Sequence, residues 1–344
     1  MSNKTLKAAV IGVNGFGDYH IRGFLENPNA QLVMICDCNE DYAKKASEKY
    51  NIPYTASYDE ILANSEINAV SLAIPDQLHC EFAIKALNAG KDVLCEKPLA
   101  LKIDECKKMI KASAESGNYL MVGQICRFTP SFAKAKELVD EGAIGELFFV
   151  ESEYAHDYSG MTCEWRKNDP LRDGMVGGAC HAVDLLRWIA GNPSEVFAYA
   201  NHKVLTDWPT NDCTVAIMKF PNDVIGKVFC STGCKRNYTM RTVLYGTKGT
   251  IIVDNTSPSL SLFKSKIENG EKFAGSAARE VEIKIPVSIS NHNIFEEVNE
   301  FCNCIAEQRK PVLSAVEGAA TVSICLAAVE SAKTHRPVEV DYNF

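Results

Sequence analysis

At 344 residues the chain is too long for one ordinary core, and the length prior gives roughly two domains. With 46% hydrophobic and 23% charged residues and no apolar run expected to span a bilayer, it reads as a soluble protein without a membrane partner. A net charge of −8 argues against a nucleic-acid surface and leaves room for a local basic pocket. The first apolar run, "LKAAVIGV", is broken at once by Gly and Asn, so it reads as a strand and not as a signal peptide. "FGDYHIRGFLEN" follows with helical spacing, then the buried strand "AQLVMICD" and the helix "NEDYAKKASEKY". "INAVSLAIP" repeats the pattern and leads into "DQLHCEFAIKALNAG", where Gly90 is placed as a helix C-cap. "KDVLCE", "IDECKKMIKASAESG" and "NYLMVGQ" complete the alternation. Short apolar strands separated by helices predict a parallel, doubly wound Rossmann sheet, which binds ligands at the carboxyl ends of its strands.

Those strand ends carry the chemistry. The first ends in "GVNGFG", with Gly12, Asn14, Gly15, Phe16 and Gly17 in a variant of G-x-G-x-x-G that has Asn in place of the second glycine. It follows a strand and opens a helix, so its amides can hold a pyrophosphate. Asp37 ends the next strand, 20 residues beyond Gly17, where an acid accepts ribose hydroxyls and repels a 2′-phosphate. The cofactor is therefore expected to be NAD. Ile74 and Pro75 end a third strand, and His79 lies one helical turn on, expected near the nicotinamide end. In "VLCEKPLALK" the strand stops at Glu96 and Lys97, and Pro98 keeps Lys97 out of helical geometry at the sheet rim. A half-desolvated lysine there can relay a proton.

Beyond residue 125 the pattern changes. "LFFVESEYAH", "EVFAYANHKV", "DCTVAIMKF", "VIGKVFCSTGC", "MRTVLYG" and "TIIVDN" follow one another with turns such as "FPND" and "GTKG". Sequential strands predict an open, mainly antiparallel sheet in an α+β domain, so the division is 1–125 for the NAD-binding domain and 126–344 for the second domain. One helix interrupts them, "CHAVDLLRWIAG", with Ala182, Leu185, Leu186 and Ile189 as its apolar stripe. His181 and Asp184 lie one above the other on a different face. "EYAHDYSGMTCEWRKNDP" reads as a substrate loop in which Tyr154, His156, Asp157, Trp165 and Arg166 offer aromatic faces and directional polar groups. The 14 cysteines are scattered without a C-x-x-C, and are expected to be reduced core thiols in a cytoplasmic protein that holds no metal.

The stretch "INAVSLAIPDQLHCEFAIKALNAGKDVLCEKPLA", with "MVGQICRFTPSFAKAKELVDEGAIGELFFVESEY" and "GTKGTIIVDN", resembles the Gfo/Idh/MocA family of glucose–fructose oxidoreductases and inositol dehydrogenases. The likeness covers nearly the whole chain. It implies NAD(P)-linked oxidation of a sugar or cyclitol, and a second domain whose sheet serves substrate and oligomer contacts, hence a homodimer or homotetramer. Lys97 matches the family's catalytic lysine, often followed there by a cis proline. His181 matches the histidine that removes the alcohol proton, and Arg127 with Phe128 matches an R-F pair at the cleft. Many members carry an aspartate four residues before the histidine, where this chain has Gly177. Asp184 is then expected to orient His181 or to accept a substrate hydroxyl. Two other functions fit the same residues: a redox glycosidase that retains NAD, and a dinucleotide-sensing regulator.

Overall fold

A computed structural model of the protein describes residues 6–265, 280–289 and 292–344. The chain forms two compact units, and each is described by itself. In the first, β1 (Leu6–Ile11), β2 (Ala30–Cys36), β3 (Tyr54–Thr55), β4 (Ala69–Leu72), β5 (Asp92–Glu96) and β6 (Leu120–Gly123) form one sheet in the order β3-β2-β1-β4-β5-β6. Every neighbouring pair is parallel. The helices α1 (Phe16–Glu26), α2 (Glu40–Tyr50), α3 (Tyr58–Ala63), α4 (His79–Asn88) and α5 (Ile103–Ser116) connect them. β4 and β6 are buried at every residue, as expected of strands covered on both faces. Asn39 caps the start of α2 through its side chain, and Gly117 ends α5 in the left-handed region. The strand order reverses between β1 and β4, which places the ligand crevice at their carboxyl ends.

The second unit is built on a nine-stranded sheet. Its strands are β7 (Leu147–Ala155), β8 (Glu195–Asn201), β9 (Cys213–Lys219), β10 (Ile225–Ser231), β11 (Thr239–Gly246), β12 (Gly249–Asp254), β13 (Ser259–Ser265), β14 (Glu280–Pro286) and β15 (Val338–Glu339). They lie in the order β14-β13-β12-β11-β7-β10-β9-β8-β15. Pairing is antiparallel throughout except between β7 and β10, which run parallel. Alternation along β9 buries Thr214, Ala216 and Met218 and turns Val215, Ile217 and Lys219 outward. The same outer face carries Tyr199 opposite Val215, Phe197 opposite Ile217, and exposed Ile225. Helices α6 (Pro130–Asp140), α7 (Glu164–Lys167), α8 (Gly174–Gly177) and α9 (Cys180–Ala190) belong to this unit.

The first unit runs to Ile125 and the second begins at Cys126, but two segments near the C-terminus do not stay with the second unit. Asn293–Ser323 and Tyr342–Phe344 return to the first. There α10 (Ile294–Ala306) packs on α1, with Phe24 and Phe301 edge to face at 6.5 Å and Val298 close over Gly23. The strand run from β7 to β12 masked this return, because nothing in the composition of α10 names its partner. The last helix, α11 (Ala315–Thr334), is long and apolar enough to cross a membrane by length and composition alone, contrary to expectation. However, 67% of its apolar window is buried inside the protein, the pattern of a core helix. Cys36 is buried as expected, and burial pushes its thiol up to about 12, so it stays protonated at neutral pH.

Candidate active site

In the first unit the turn after β1 is shaped by close approach. Gly12 has φ +83°, and a Cβ there would collide with the carbonyl oxygen of Ala73. Gly15, at φ +61°, caps α1 and has open space where its Cβ would stand. The Asn14 side chain accepts a hydrogen bond from the Gly15 amide at 2.9 Å, which is how asparagine serves at the position where the fingerprint has glycine. Asp37 is tied into the same turn, because its Oδ2 accepts the Val13 amide at 3.0 Å and its Oδ1 the Asn39 amide at 2.9 Å. Phe16 opens α1 beside Tyr19, their ring centroids 5.9 Å apart. A helix N-terminus with an uncovered glycine and a fixed acid at the next strand end suits a dinucleotide. Gln124, just past β6, is buried with neither amide atom hydrogen-bonded among the described residues, and so has a donor and an acceptor to offer a ligand.

At the carboxyl ends of β4 and β5 the sequence-derived residues come together. Pro75 begins a short 3₁₀ turn that runs into α4, and His79 is the first residue of that helix. His79 is completely buried, its Nδ1 2.8 Å from the Pro98 carbonyl and its Nε2 3.1 Å from the Ile74 carbonyl. It staples the two strand ends to each other. The Lys97–Pro98 bond is cis, as the family resemblance implied. Glu96 accepts the Lys97 amide on Oε2 at 3.1 Å and approaches His20 Nε2 through Oε1 at 3.0 Å. Burial opposes the charge on Glu96, yet the hydrogen bond and charge of His20 and the charge of Lys97 hold its carboxyl below the usual range. Sequence reasoning did not single out His20, which is six residues past the last interrupting asparagine of a helix that looked wholly concerned with packing.

In the second unit α9 is buried almost all round, so His181, Asp184 and Arg187 are enclosed along with the apolar stripe. His181 lies in the first turn and stacks on Tyr154, with centroids 6.4 Å apart and planes 28° from parallel. His292 lies 6.2 Å from it, and Tyr158, Tyr238 and His156 lie against Tyr154. The Tyr154 hydroxyl lies 2.8 Å from that of Tyr158 and 3.1 Å from His156 Nδ1, and Tyr238 stacks on His292 at 5.9 Å. Tyr154 and His156 were read from the sequence. Tyr158, Tyr238 and His292 were not, because they come from a loop, a strand entrance and the approach to α10. The Asp184 carboxylate is fully buried and takes Arg127 in a two-pronged grip, Nε to Oδ2 and Nη2 to Oδ1, both at 2.7 Å. Arg187 adds a third bond at 3.4 Å. Both oxygens thus accept from arginines, which makes Asp184 an anchor of Arg127. Arg127 also lies over Trp188 at 5.6 Å.

Gly177 is occupied from another direction. A Cβ there would stand 2.5 Å from Arg172 Nη1, and Arg172 Nη2 donates to the Gly177 carbonyl at 3.3 Å. A guanidinium therefore fills the space where many relatives of the family have a carboxylate. Arg172 lies 5.3 Å and Arg166 4.8 Å from the centroid of the Trp165 ring, so that ring is a cation-binding surface within the protein before any ligand arrives.

Residues 6–124 match the family described as "Oxidoreductase family, NAD-binding Rossmann fold", and residues 132–252 match "GFO/IDH/MocA C-terminal domain". The chain is 24% identical to scyllo-inositol 2-dehydrogenase (NAD(+)) of Bacillus subtilis (strain 168), an alignment spanning 98% of this chain and 96% of the relative. It is 28% identical to levoglucosan dehydrogenase of Pseudarthrobacter phenanthrenivorans over 64% of each chain. A solved levoglucosan dehydrogenase in complex with NADH superposes with a TM-score of 0.88 at 24% identity, covering 98% of this chain and 100% of that one.

Proposed function

The chain belongs to the Gfo/Idh/MocA family of oxidoreductases, and from that premise we propose that it is an NAD-dependent dehydrogenase oxidising a ring hydroxyl of a sugar, glycoside or cyclitol. One observation carries the reading. A glycine turn tied to Asp37 and a lysine-bearing cis-proline turn stapled by His79 lie at the carboxyl edge of the same parallel sheet. The names of the inositol and levoglucosan dehydrogenases it resembles support a polyhydroxylated ring as substrate. NAD, when bound, supplies the ring that takes up hydride. The chain does the rest. Amides at the start of α1 hold the pyrophosphate, and Asp37 accepts the ribose hydroxyls. Lys97 polarises the alcohol and stabilises negative charge on its oxygen, and His181 accepts the proton. Tyr154, His156, Trp165 and Arg166 present the substrate's ring with aromatic faces and donors. The test is an absorbance screen for NADH over monosaccharides, glycosides and inositols. Sugar release without net NADH would indicate a redox glycosidase, and tight NAD binding with no turnover of any compound a regulator.

NAD should be preferred over NADP. Asp37→Ala removes both the acceptor of ribose hydroxyls and the bond to the Val13 amide, so it should weaken NAD binding roughly tenfold or more. The same change should narrow the discrimination against NADP. Equal kinetics with the two cofactors in the native enzyme would overturn the assignment.

The outer face of the large sheet supports a homodimer or homotetramer. Tyr199 is 64% exposed, Ile217 51% and Ile225 52%, on strands whose other face buries Val196, Ala198, Ala216 and Met218. An apolar sheet face of this kind is ordinarily covered. Ion pairs at its border, Lys227 and Arg241 to Glu151, give a polar rim. Light scattering at micromolar concentration should give a multiple of the chain mass, and Ile217→Glu should reduce it. A monomeric mass for the native protein would count against this surface. The thiol-rich core suits a reducing, cytoplasmic compartment.

A further inference from the structure

Behind Lys97 the first unit encloses three ionisable side chains from three elements. His20 comes from α1, Glu96 from the end of β5 and Glu297 from α10. One ligand atom from each lies within 4.8 Å of the others, and all three residues are buried. His20 is fixed at both ring nitrogens, with Ser71 Oγ 2.9 Å from Nδ1 and Glu96 Oε1 3.0 Å from Nε2. Glu96 is fixed at both oxygens, by His20 and by the Lys97 amide. Glu297 is different. It has no exposed surface, and among the described residues neither of its carboxyl oxygens meets a hydrogen-bond donor. The site is too tight to admit a side chain from the neighbouring strand, since a Cβ on Gly123 would stand 3.2 Å from Glu297 Oε1 and 3.4 Å from Glu96 Cα.

Two carboxylates this close, out of water, do not both ionise. We infer that Glu297 is a neutral carboxylic acid whose proton is shared toward the Glu96 carboxylate, so that the His20–Glu96–Glu297 cluster forms a buried support that positions Lys97. The atoms balance simply: Glu297 keeps its proton and donates it in a hydrogen bond, and Glu96 keeps the negative charge that Lys97 and His20 face. Burial pushes the Glu297 carboxyl well up, the charge on Glu96 pushes it further, and Lys97 opposes both without prevailing. Glu96 is held low by His20 and Lys97 against the cost of burial, so the two acids are driven apart in the sense that assigns one proton to Glu297. A cation in the same place is the competing occupant, because a histidine and two carboxylates are also a ligand set.

The geometry of the strand end makes this matter to Lys97. The lysine's own amide is bonded to Glu96, so any rotation of that carboxylate moves the backbone from which the lysine side chain departs. Glu297 is therefore a positioning residue, acting through Glu96. The decisive measurement is infrared difference spectroscopy of the native protein against Glu297→Gln at neutral pH. A protonated-carboxyl carbonyl band present in the native protein, shifted in heavy water and missing in the variant is the expected result. Absence of that band overturns the proposal. So does a stoichiometric divalent ion found by elemental analysis of the native protein and lost in the variant. This measurement needs no substrate, so it stands or falls apart from the dehydrogenase reading. In turnover, which rests on that reading, Glu297→Ala should lower kcat on the order of 10-fold to 100-fold, the effect of a slightly misplaced catalytic group. KM should change little, and Glu297→Gln, a neutral donor of the same shape, should restore most of the rate. Equal losses in the two variants would overturn the positioning role, and should the alanine variant fail to fold, the infrared band still decides.

Discussion

Alanine at His181 or at Lys97 should lower kcat by about 10²–10⁴-fold, the usual contribution of a proton-transfer group. NAD binding, followed by cofactor fluorescence, should stay near native in both, because the α1 amides and Asp37 lie on other turns. The reasoning is that hydride leaves a ring carbon only as the hydroxyl proton departs, so the proton acceptor acts in the transition state and not in cofactor binding. His181 is the acceptor in this reading, and Lys97 the positive charge that stabilises the developing alkoxide. With Gly177 and the Arg172 guanidinium where many relatives have an aspartate, no carboxylate at that position can extend the relay. The native pH–rate curve should therefore show one dominant ionisation, with activity lost on the acid side, where an imidazolium can no longer accept a proton. Because His181 is buried against Tyr154, its alanine variant also leaves a cavity. His181→Gln, which keeps volume and polarity, separates the two effects: both variants should lose turnover, and the glutamine variant should melt closer to native. Near-native kcat in either histidine variant would move the base to Lys97 and leave His181 a packing residue.

The parts of this site that were legible in the sequence are those carried by local chain geometry. The turn after β1, the acid at Asp37 and the lysine held out of a helix by Pro98 each announce themselves within a few residues, because glycine and proline constrain the backbone they sit in. The six parallel strands were legible for a similar reason, except β3, whose two residues carry no periodicity. What could not be read depends on which distant segments meet. His20 and Glu297 are 277 residues apart and share a site only because α10 returns to pack on α1. Asp184 looked like a partner for His181 because three-residue spacing puts them on one helix face. That Arg127, 57 residues upstream, grips the same carboxylate is not written in the spacing. The second cation near the Trp165 ring, Arg172, was not foreseen, because nothing local ties it to that ring.

The Arg127–Asp184 pair makes the strongest stability prediction. Asp184→Ala should destabilise the protein by about 3–5 kcal/mol, the typical cost of removing one partner from a buried ion pair. The magnitude comes from what is left behind more than from the bonds lost. The side chains of Arg127 and Arg187 are only 8% and 5% exposed, so two cations would stay out of water after losing the Asp184 carboxylate. Asp184→Asn keeps the shape and one acceptor oxygen, and should cost less while still falling clearly below native. The double change Arg127→Met with Asp184→Leu removes both charges together, and should recover much of the loss if the penalty is uncompensated charge rather than vacated space. Urea midpoints at constant slope give the comparison directly. Because Asp184 lies on the same helix as His181, the single alanine variant should also lose turnover in the fraction that remains folded. If it instead unfolded within about 1 kcal/mol of native, the pair would be no more than a surface-grade contact. Arg127 would then have to find its counter-charge elsewhere, and the assignment of Asp184 as its anchor would fall.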